Sequence, residues 1–350
     1  MISVDFLEQA RLHGNPILEP GAAVFMWFGA EPPALIGDFN DWDSSRSQWE
    51  QGEANAWLQR IPLEPDAYIE YAFLRMGKGG GREPDPFNPH RTPNGTGAYN
   101  HFFYMPEGKP TPLMMRRQGV KPGRVSHRVL ASSHLGLATA TRKVHFYQPP
   151  VDGPVPLMVV LDGVEYLRRA RLPVILDNLI HHNRVQPVAL AMLENGGKAR
   201  PVEYSCSEAT LGTIVTDLIP MAQQELDLLP QDSCTYGVMG ASLGGLMAVF
   251  MGLRGFPLFT RVLSQSGAFR FGEYDTVVMD LVRHGDVKPL QIWMDVGKYE
   301  WLLECNRDMY QLLLDRGYPV TFHEYSAGHN YPAWRNDLAA GLEALYPPMH

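Results

Sequence analysis

Hydrophobic and polar positions follow two different rhythms along the chain. From about Ala22 to Tyr104 the apolar runs are short: AVFMWFG, PALIGDF, AWLQRIPL, AYIEYAFLRM and NHFFYM. They are rich in aromatic and β-branched residues, and clusters of Gly, Pro, Asn and Asp separate them, as expected of strands joined by turns. Several strands at this spacing predict a small immunoglobulin-like β-sandwich. Ahead of them, MISVDFLEQARLHGNPIL reads as a short amphipathic helix with Phe6, Leu7 and Leu12 turned inward.

After about Val125 strands alternate with helices. PLMVVLDG, VALAMLE, CTYGVMG, FTRVLSQSG, LQIWMDVG and PVTFHEYSAG read as strands. LPVILDNLIHH, TLGTIVTDLIPMAQQELDLL, LGGLMAVFMGLR and YDTVVMDLVRHG read as helices, with another ending at Asp315 and a last one from about Tyr331 to Leu345. In the longest, Leu211, Ile214, Val215, Leu218 and Ile219 fall on one face. Continuous apolar strands alternating with amphipathic helices predict a mostly parallel sheet covered on both faces. The expected division is a sandwich with its short helix over residues 1–108, a linker over 109–124 packed along Leu113-Met114-Met115, and an α/β domain over 125–350.

Composition narrows the function classes. Of 350 residues, 45% are hydrophobic and 19% charged, which describes an ordinary globular enzyme-sized protein. A net charge of −8 argues against a broad nucleic-acid surface, which needs clustered Lys and Arg. No run reaches the roughly 18 apolar residues of a membrane span. The first residues lack the basic and continuously apolar regions of a signal peptide, so a cytoplasmic enzyme is expected. Cys206, Cys234 and Cys305 are widely spaced and odd in number, which suggests buried thiols and neither disulfides nor zinc. No metal or other cofactor is expected.

The chemistry centres on Gly240-Ala241-Ser242-Leu243-Gly244, a G-x-S-x-G followed by Gly245. A strand runs into it and a helix runs out, the context of a nucleophile elbow in an α/β-hydrolase. The tight turn crowds its flanks, so the neighbours of the serine must be small. A serine hydroxyl needs a base to take its proton. Among twelve histidines, His329 follows the last predicted strand, where chain order Ser, acid, His puts it. The acid should follow LQIWMDVG: Glu300 is the better placed, and Asp295, still in the strand, stays open. The oxyanion hole needs two backbone N–H groups. Leu243 would supply one, and the loop after VVLDG, at Gly163 or Val164, the other.

In order along about 200 residues come VVLDG with Tyr166 after it, Arg200 and Glu203 in ARPVEY, GASLGG, LSQSG, VGKYE and AGHNYPAW with Trp334. This set resembles the esterase D-like branch of α/β-hydrolases, and in particular the enterochelin esterase family. Gly37-Asp38-Phe39-Asn40-Asp41-Trp42, the Tyr68–Phe73 stretch YIEYAF and Asp85-Pro86 resemble the early-set sandwich of isoamylases and glycogen-binding modules. In such modules exposed tryptophans stack on sugars. The candidates for that here are Trp42, Trp49 and Trp57, with Trp42 and Trp57 expected in the sandwich core instead. A glutamate acid departs from the commoner aspartate of the branch.

The resemblance implies hydrolysis of the serine esters of a catechol siderophore, with release of its iron. A ferric tri-catecholate is anionic, so cations should line its pocket. Arg168, Arg169, Arg171, Arg200, Arg270, Lys298 and Arg335 lie in or near the predicted cleft loops, although Arg200 also has Glu203 to pair with. Val164, Arg200, Arg270 and Trp334 are the expected substrate contacts. A rival reading is an esterase of acyl or feruloyl sugar esters, and a third is a non-catalytic binding protein on this scaffold. The partner is a small-molecule ester in the first two readings. A homodimer is compatible with the layout but not required by it.

Overall fold

The computed structural model describes residues 6–52, 55–77, 80–95, 97–132, 141–230 and 236–348; Cys234 lies outside them. By contact the chain divides into two compact units. One comprises Met1–Pro110, Gly297–Trp301 and Tyr325–Ala333; the other comprises Thr111–Val296, Leu302–Glu324 and Trp334–His350.

The first unit contains two antiparallel sheets. One has the order Ile17–Glu19, Ala22–Phe28, Ala56–Pro62, Glu50–Gln51; the other has Ala34–Gly37, Tyr68–Arg75, Tyr99–Tyr104, Arg91–Pro93, with Gly81–Glu83 also on Tyr68–Arg75. The five long apolar runs are the five longest of these strands. Phe25, Leu35, Ile69, Tyr71, Phe73 and Phe103 meet in the core. Phe25 meets Tyr71 edge to face at 4.9 Å between ring centres, the arrangement aromatic quadrupoles favour.

Two expectations for this unit are corrected. Helix Phe6–His13 forms, but Leu12 is 67% exposed, while Leu7 is half-buried and Ala10 is buried. Trp27 and Trp49 pack on the core, not Trp42 and Trp57. The Trp57 indole donates to the Gly29 carbonyl at 3.0 Å. Trp42 follows a 3-10 turn with φ 61°, donates to Asp38 Oδ1 at 3.1 Å, and carries the Arg82 guanidinium 5.5 Å over its ring.

The second unit is built on an eight-stranded sheet, whose strands are numbered here in chain order. They are β1 Arg124–Ala131, β2 Thr141–Gln148, β3 Leu157–Val160, β4 Ala189–Leu193, β5 Tyr236–Ala241, β6 Phe259–Gln265, β7 Gln291–Gly297 and β8 Val320–Tyr325. Their spatial order is β1-β2-β4-β3-β5-β6-β7-β8. From β4 to β7 the neighbours are parallel, while β1 and β2 enter antiparallel. This is the α/β-hydrolase sheet, preceded in the chain by a β domain. The apolar pattern missed β1 because only its Leu130 is buried.

The long predicted helix is interrupted. Glu208–Thr213 and Ile219–Glu225 flank a wide turn at Ile214–Leu218, where the Ile219 N–H reaches back to the Ile214 carbonyl. Pro220 has no N–H to continue the ordinary ladder, and the wide turn absorbs the break. The extra residue rotates Val215 outward, so it is 36% exposed while Ile214, Leu218 and Ile219 are buried. The segment after the sandwich packs through Leu113 but leaves Met115 exposed. Asn178 donates to the carbonyls of Leu113 and Met115 at 2.7 and 3.0 Å. Cys305 is buried and Cys206 half-buried. Among the described residues no helix is long and apolar enough to cross a membrane.

The sandwich also encloses a polar cluster around Asp85. Its Oδ2 accepts from Asn15 Nδ2 at 2.8 Å and from the Tyr71 hydroxyl at 2.7 Å, and its Oδ1 accepts from the Phe87 N–H at 2.9 Å. Burial raises the Asp85 carboxyl above the ordinary carboxylate range, and these donors oppose the rise. Asp85→Ala would strand buried donors, each worth about 1–3 kcal/mol when left unpaired. The expected outcome is a loss of about 3 kcal/mol or more, read as a lowered urea midpoint at unchanged slope.

Candidate active site

Ser242 joins the fully buried β5 to the helix Leu243–Arg254 with φ 60° and ψ −122°. That is the strained conformation of a nucleophile elbow. Glycine is required around it for space. A Cβ on Gly240 would lie 2.5 Å from the Gly244 carbonyl, and one on Gly245 would lie 2.7 Å from Ser264 Oγ. The Ser242 N–H donates to the Gln265 carbonyl at 2.8 Å, and the Ser242 carbonyl accepts from the Ala268 N–H at 3.1 Å. The turn is thus pinned from both sides by the end of β6 and the loop after it. Leu243 opens the helix, half-buried.

Gly163 opens the helix Gly163–Arg168 just after β3, with Val164 half-buried beside it. Asp162 before them has φ 55° and a side chain only 2% exposed. Arg200 grips it through two bonds, Nε to Oδ1 at 2.7 Å and Nη2 to Oδ2 at 2.6 Å. Arg200 Nη2 also donates to the Ala241 carbonyl at 3.3 Å, and its guanidinium lies 5.2 Å over the Tyr204 ring. One guanidinium therefore fastens the Gly163 turn to the residue before Ser242. Glu203, the partner expected for Arg200, pairs with Arg142 instead, both nearly fully buried. Arg200 meets the buried Asp162 carboxylate as a planar two-pronged donor, and the Asn195 amide adds a bond to Oδ1 at 2.5 Å.

In the sandwich-containing unit, His329 Nδ1 is hydrogen-bonded to Glu300 Oε2. The Glu300 side chain is fully buried, and its Oε1 accepts from the Gly297 N–H at 2.7 Å. The Glu300 carboxylate on Nδ1 sets the orientation and tautomer of the ring. Trp301, which the sequence pattern did not single out, lies 4.7 Å from the imidazole between ring centres and is 58% exposed.

Asp295 faces a different network. Its Oδ2 accepts from Trp293 Nε1 at 3.0 Å and from Gln265 Nε2 at 3.1 Å. Burial, and then the neighbouring Asp337 carboxylate, push it well above the ordinary range. Gln265 is itself a hub. Its Oε1 accepts from the Tyr166 hydroxyl at 2.9 Å, and Nε2 also donates to the Trp334 carbonyl at 3.1 Å.

Most of the other residues expected at the substrate have partners within the chain. Trp334 is buried, with its indole N–H on Ser266 Oγ at 2.9 Å, so it braces the loop after β6 and shows no open face. Arg270 pairs with both Asp275 and Asp308, which more than balance its charge. Arg169 pairs with Glu165, and Lys298 lies 3.6 Å from Glu64. Arg168 is exposed at the end of its helix, and Arg171 is half-buried at the start of Leu172–His181.

Removing the guanidinium by Arg200→Ala would leave the buried Asp162 carboxylate without its charge partner, with only the Asn195 amide on Oδ1 among the contacts described. A loss of about 3–5 kcal/mol in unfolding free energy is expected, with Arg200→Lys recovering only part of it. Chemical denaturation of the three proteins side by side checks this.

The profile of the Esterase family, described as "Putative esterase", matches residues 138–345. The iron(III) enterobactin esterase of Escherichia coli K12 is 26% identical over 202 residues, which are 55% of this chain and 50% of that protein. That of Dickeya dadantii is 30% identical over 207 residues, 54% of this chain and 47% of that one. The chain thus spans about half the length of these curated relatives. The enterobactin esterase of Shigella flexneri, crystallised in the presence of enterobactin, matches in fold with a TM-score of 0.76, at 20% identity over 94% of each chain. With more than half of its length matched by the profile, and with an elbow serine in an α/β-hydrolase sheet, the chain belongs to the Esterase family.

Proposed function

We propose that this chain is a serine esterase that opens the ester bonds of a catechol siderophore of the ferric enterobactin kind. The reaction is a two-step acyl transfer. Ser242 Oγ attacks the ester carbonyl carbon while His329 Nε2 takes its proton. Leu243 and Gly163 N–H groups receive the developing oxyanion. Collapse breaks the ester C–O bond, and His329 returns the proton to the leaving alcohol. Water then attacks the acyl-enzyme with the same histidine as base, freeing the acid and Ser242. Glu300 holds the imidazole in its reactive tautomer and stabilises the imidazolium.

The observation that carries the reading is the His329–Glu300 pair, a histidine anchored by a fully buried carboxylate that is itself bonded to the Gly297 N–H. The strained Ser242 supports it from the nucleophile side. The substrate class draws support from kinship with the enterobactin esterases of Escherichia coli and Dickeya dadantii. Arg168 and Arg171, just beyond the Gly163 turn, are the cations we assign to the anionic catecholates. Release of iron inside the cell is the accompanying role. The sugar-ester alternative gains nothing from Trp42, whose face lies under Arg82.

Ser242→Ala is expected to abolish turnover of short p-nitrophenyl esters. Glu300→Gln should lower kcat by about 10³–10⁴, the scale of losing a triad acid, while Asp295→Asn stays within about tenfold of wild type. The reverse ranking would move the acid to Asp295. With ferric enterobactin, mass analysis should find dihydroxybenzoyl-serine units released at a kcat/KM near ~10⁴ M⁻¹s⁻¹ or above. Turnover confined to feruloyl or acetyl sugar esters would overturn the substrate assignment and leave the mechanism in place.

A further inference from the structure

The histidine loop and the acid loop, Tyr325–Ala333 and Gly297–Trp301, belong to the compact unit that contains the sandwich. The reason begins at the strand Tyr68–Arg75. Ala34–Gly37 pairs with it only as far as Gly37 opposite Tyr71, then turns off into the 3-10 turn Asp38–Asn40. Two backbone N–H groups on that edge, those of Glu70 and Tyr68, are left beyond the end of the ladder. The Glu70 N–H donates to Asp38 Oδ2 at 2.8 Å. The Tyr68 N–H donates to the Ser326 carbonyl at 2.9 Å, and Tyr68 forms a parallel bridge with Ala327. The histidine loop thus continues the sandwich sheet where its own strand leaves, and Asp38 sits at the joint.

Both chain neighbours of the histidine lie against that carboxyl. A Cβ on Gly328 would overlap the Asp38 carboxyl carbon. Asn330 Nδ2 reaches Asp38 Oδ2 at 3.4 Å, while Asn330 Oδ1 accepts from the Ala333 N–H at 3.0 Å. Asp38 cannot swing aside, because the Glu70 N–H and the Trp42 indole hold its two oxygens. The acid loop is held likewise: the Tyr299 hydroxyl accepts from the Glu64 N–H at 2.8 Å.

We propose that Asp38 is a positioning residue for His329, and that the sandwich works as part of the catalytic device through this contact. The claim rests on His329 being the base of the reaction. Burial, and then the Glu70 and Glu300 carboxylates, raise the Asp38 carboxyl well above its usual range. Asparagine keeps the shape of the side chain and an acceptor oxygen, which makes it the conservative replacement.

The test compares wild type with Gly328→Ala, Asp38→Ala, the double variant and Asp38→Asn. It reads kcat and KM on p-nitrophenyl butyrate, and the downfield proton resonance of the His329–Glu300 hydrogen bond. Gly328→Ala should lower kcat by about 10²-fold, with KM within about twofold, because a small misplacement of a reacting group has that cost. The resonance should shift or vanish with it. In the double variant the missing carboxyl makes room for the methyl, so kcat should return to within about threefold of Asp38→Ala alone. Asp38→Asn should retain more kcat than Asp38→Ala.

Wild-type kcat and resonance in Gly328→Ala, or losses that simply multiply in the double variant, would overturn the proposal. If Asp38→Ala does not fold, Gly328→Ala and Asp38→Asn still decide it. A wild type without esterase activity would remove the functional reading, while the resonance, kept in wild type and lost in Gly328→Ala, would still support the positioning role.

Discussion

The backbone of Ser242 is the constraint on which the catalytic sheet is organised. A non-glycine residue at φ 60° costs on the order of 1–3 kcal/mol and persists only where its surroundings over-determine it. Here they do so in three ways. Gly240 and Gly245 leave space that no side chain could share, a fully buried strand fixes the direction of entry, and the end of β6 binds the serine N–H while the loop after β6 binds its carbonyl. Gln265, which accepts that N–H through its backbone, uses its side chain on Tyr166, Asp295 and Trp334. The turn, the helix after β3 and the loop after β6 are therefore one hydrogen-bonded assembly, in which a displaced member disturbs the rest.

Charge is used in the same spirit. Arg200, Arg142 and Arg270 each face carboxylates of this chain. Arg200 and Arg270, which the sequence offers to an anionic ligand, are cross-links within this chain, and the Arg200 link runs beside Ser242. An arginine so committed shapes the site through backbone placement and not through its charge.

The sequence made the elbow legible because its signal is local: a strand, a G-x-S-x-G and a helix in consecutive residues. That His329 and Glu300 meet was legible by position, one after each of the last two strands. What stayed hidden involves partners far apart in sequence. Glu203, three residues from Arg200, looks like its partner, yet Asp162, 38 residues earlier, holds it. Val215 fits a regular helical stripe until Pro220 forces a wide turn. β1 carries too few buried side chains to register as a strand. Trp42 sits in a motif that suggests a sandwich core or a sugar platform, and only its contacts with Asp38 and Arg82 show otherwise. Asp38 and Gly328 are 290 residues apart, and no local pattern relates them.

The ladder between Tyr68 and Ser326 also sets an order of events during synthesis. A chain emerging from the ribosome completes its leading domain first and generally folds domain by domain. Here the sandwich leaves with two stretches of its own compact unit still untranslated. The sheet edge at Tyr68 acquires its partner only after more than 250 further residues, when the last strand and the histidine loop arrive. Closing so long a segment is entropically demanding. The His329–Glu300 pair is thus among the last pieces to be seated, so the nascent chain carries a formed sandwich well before that pair can form.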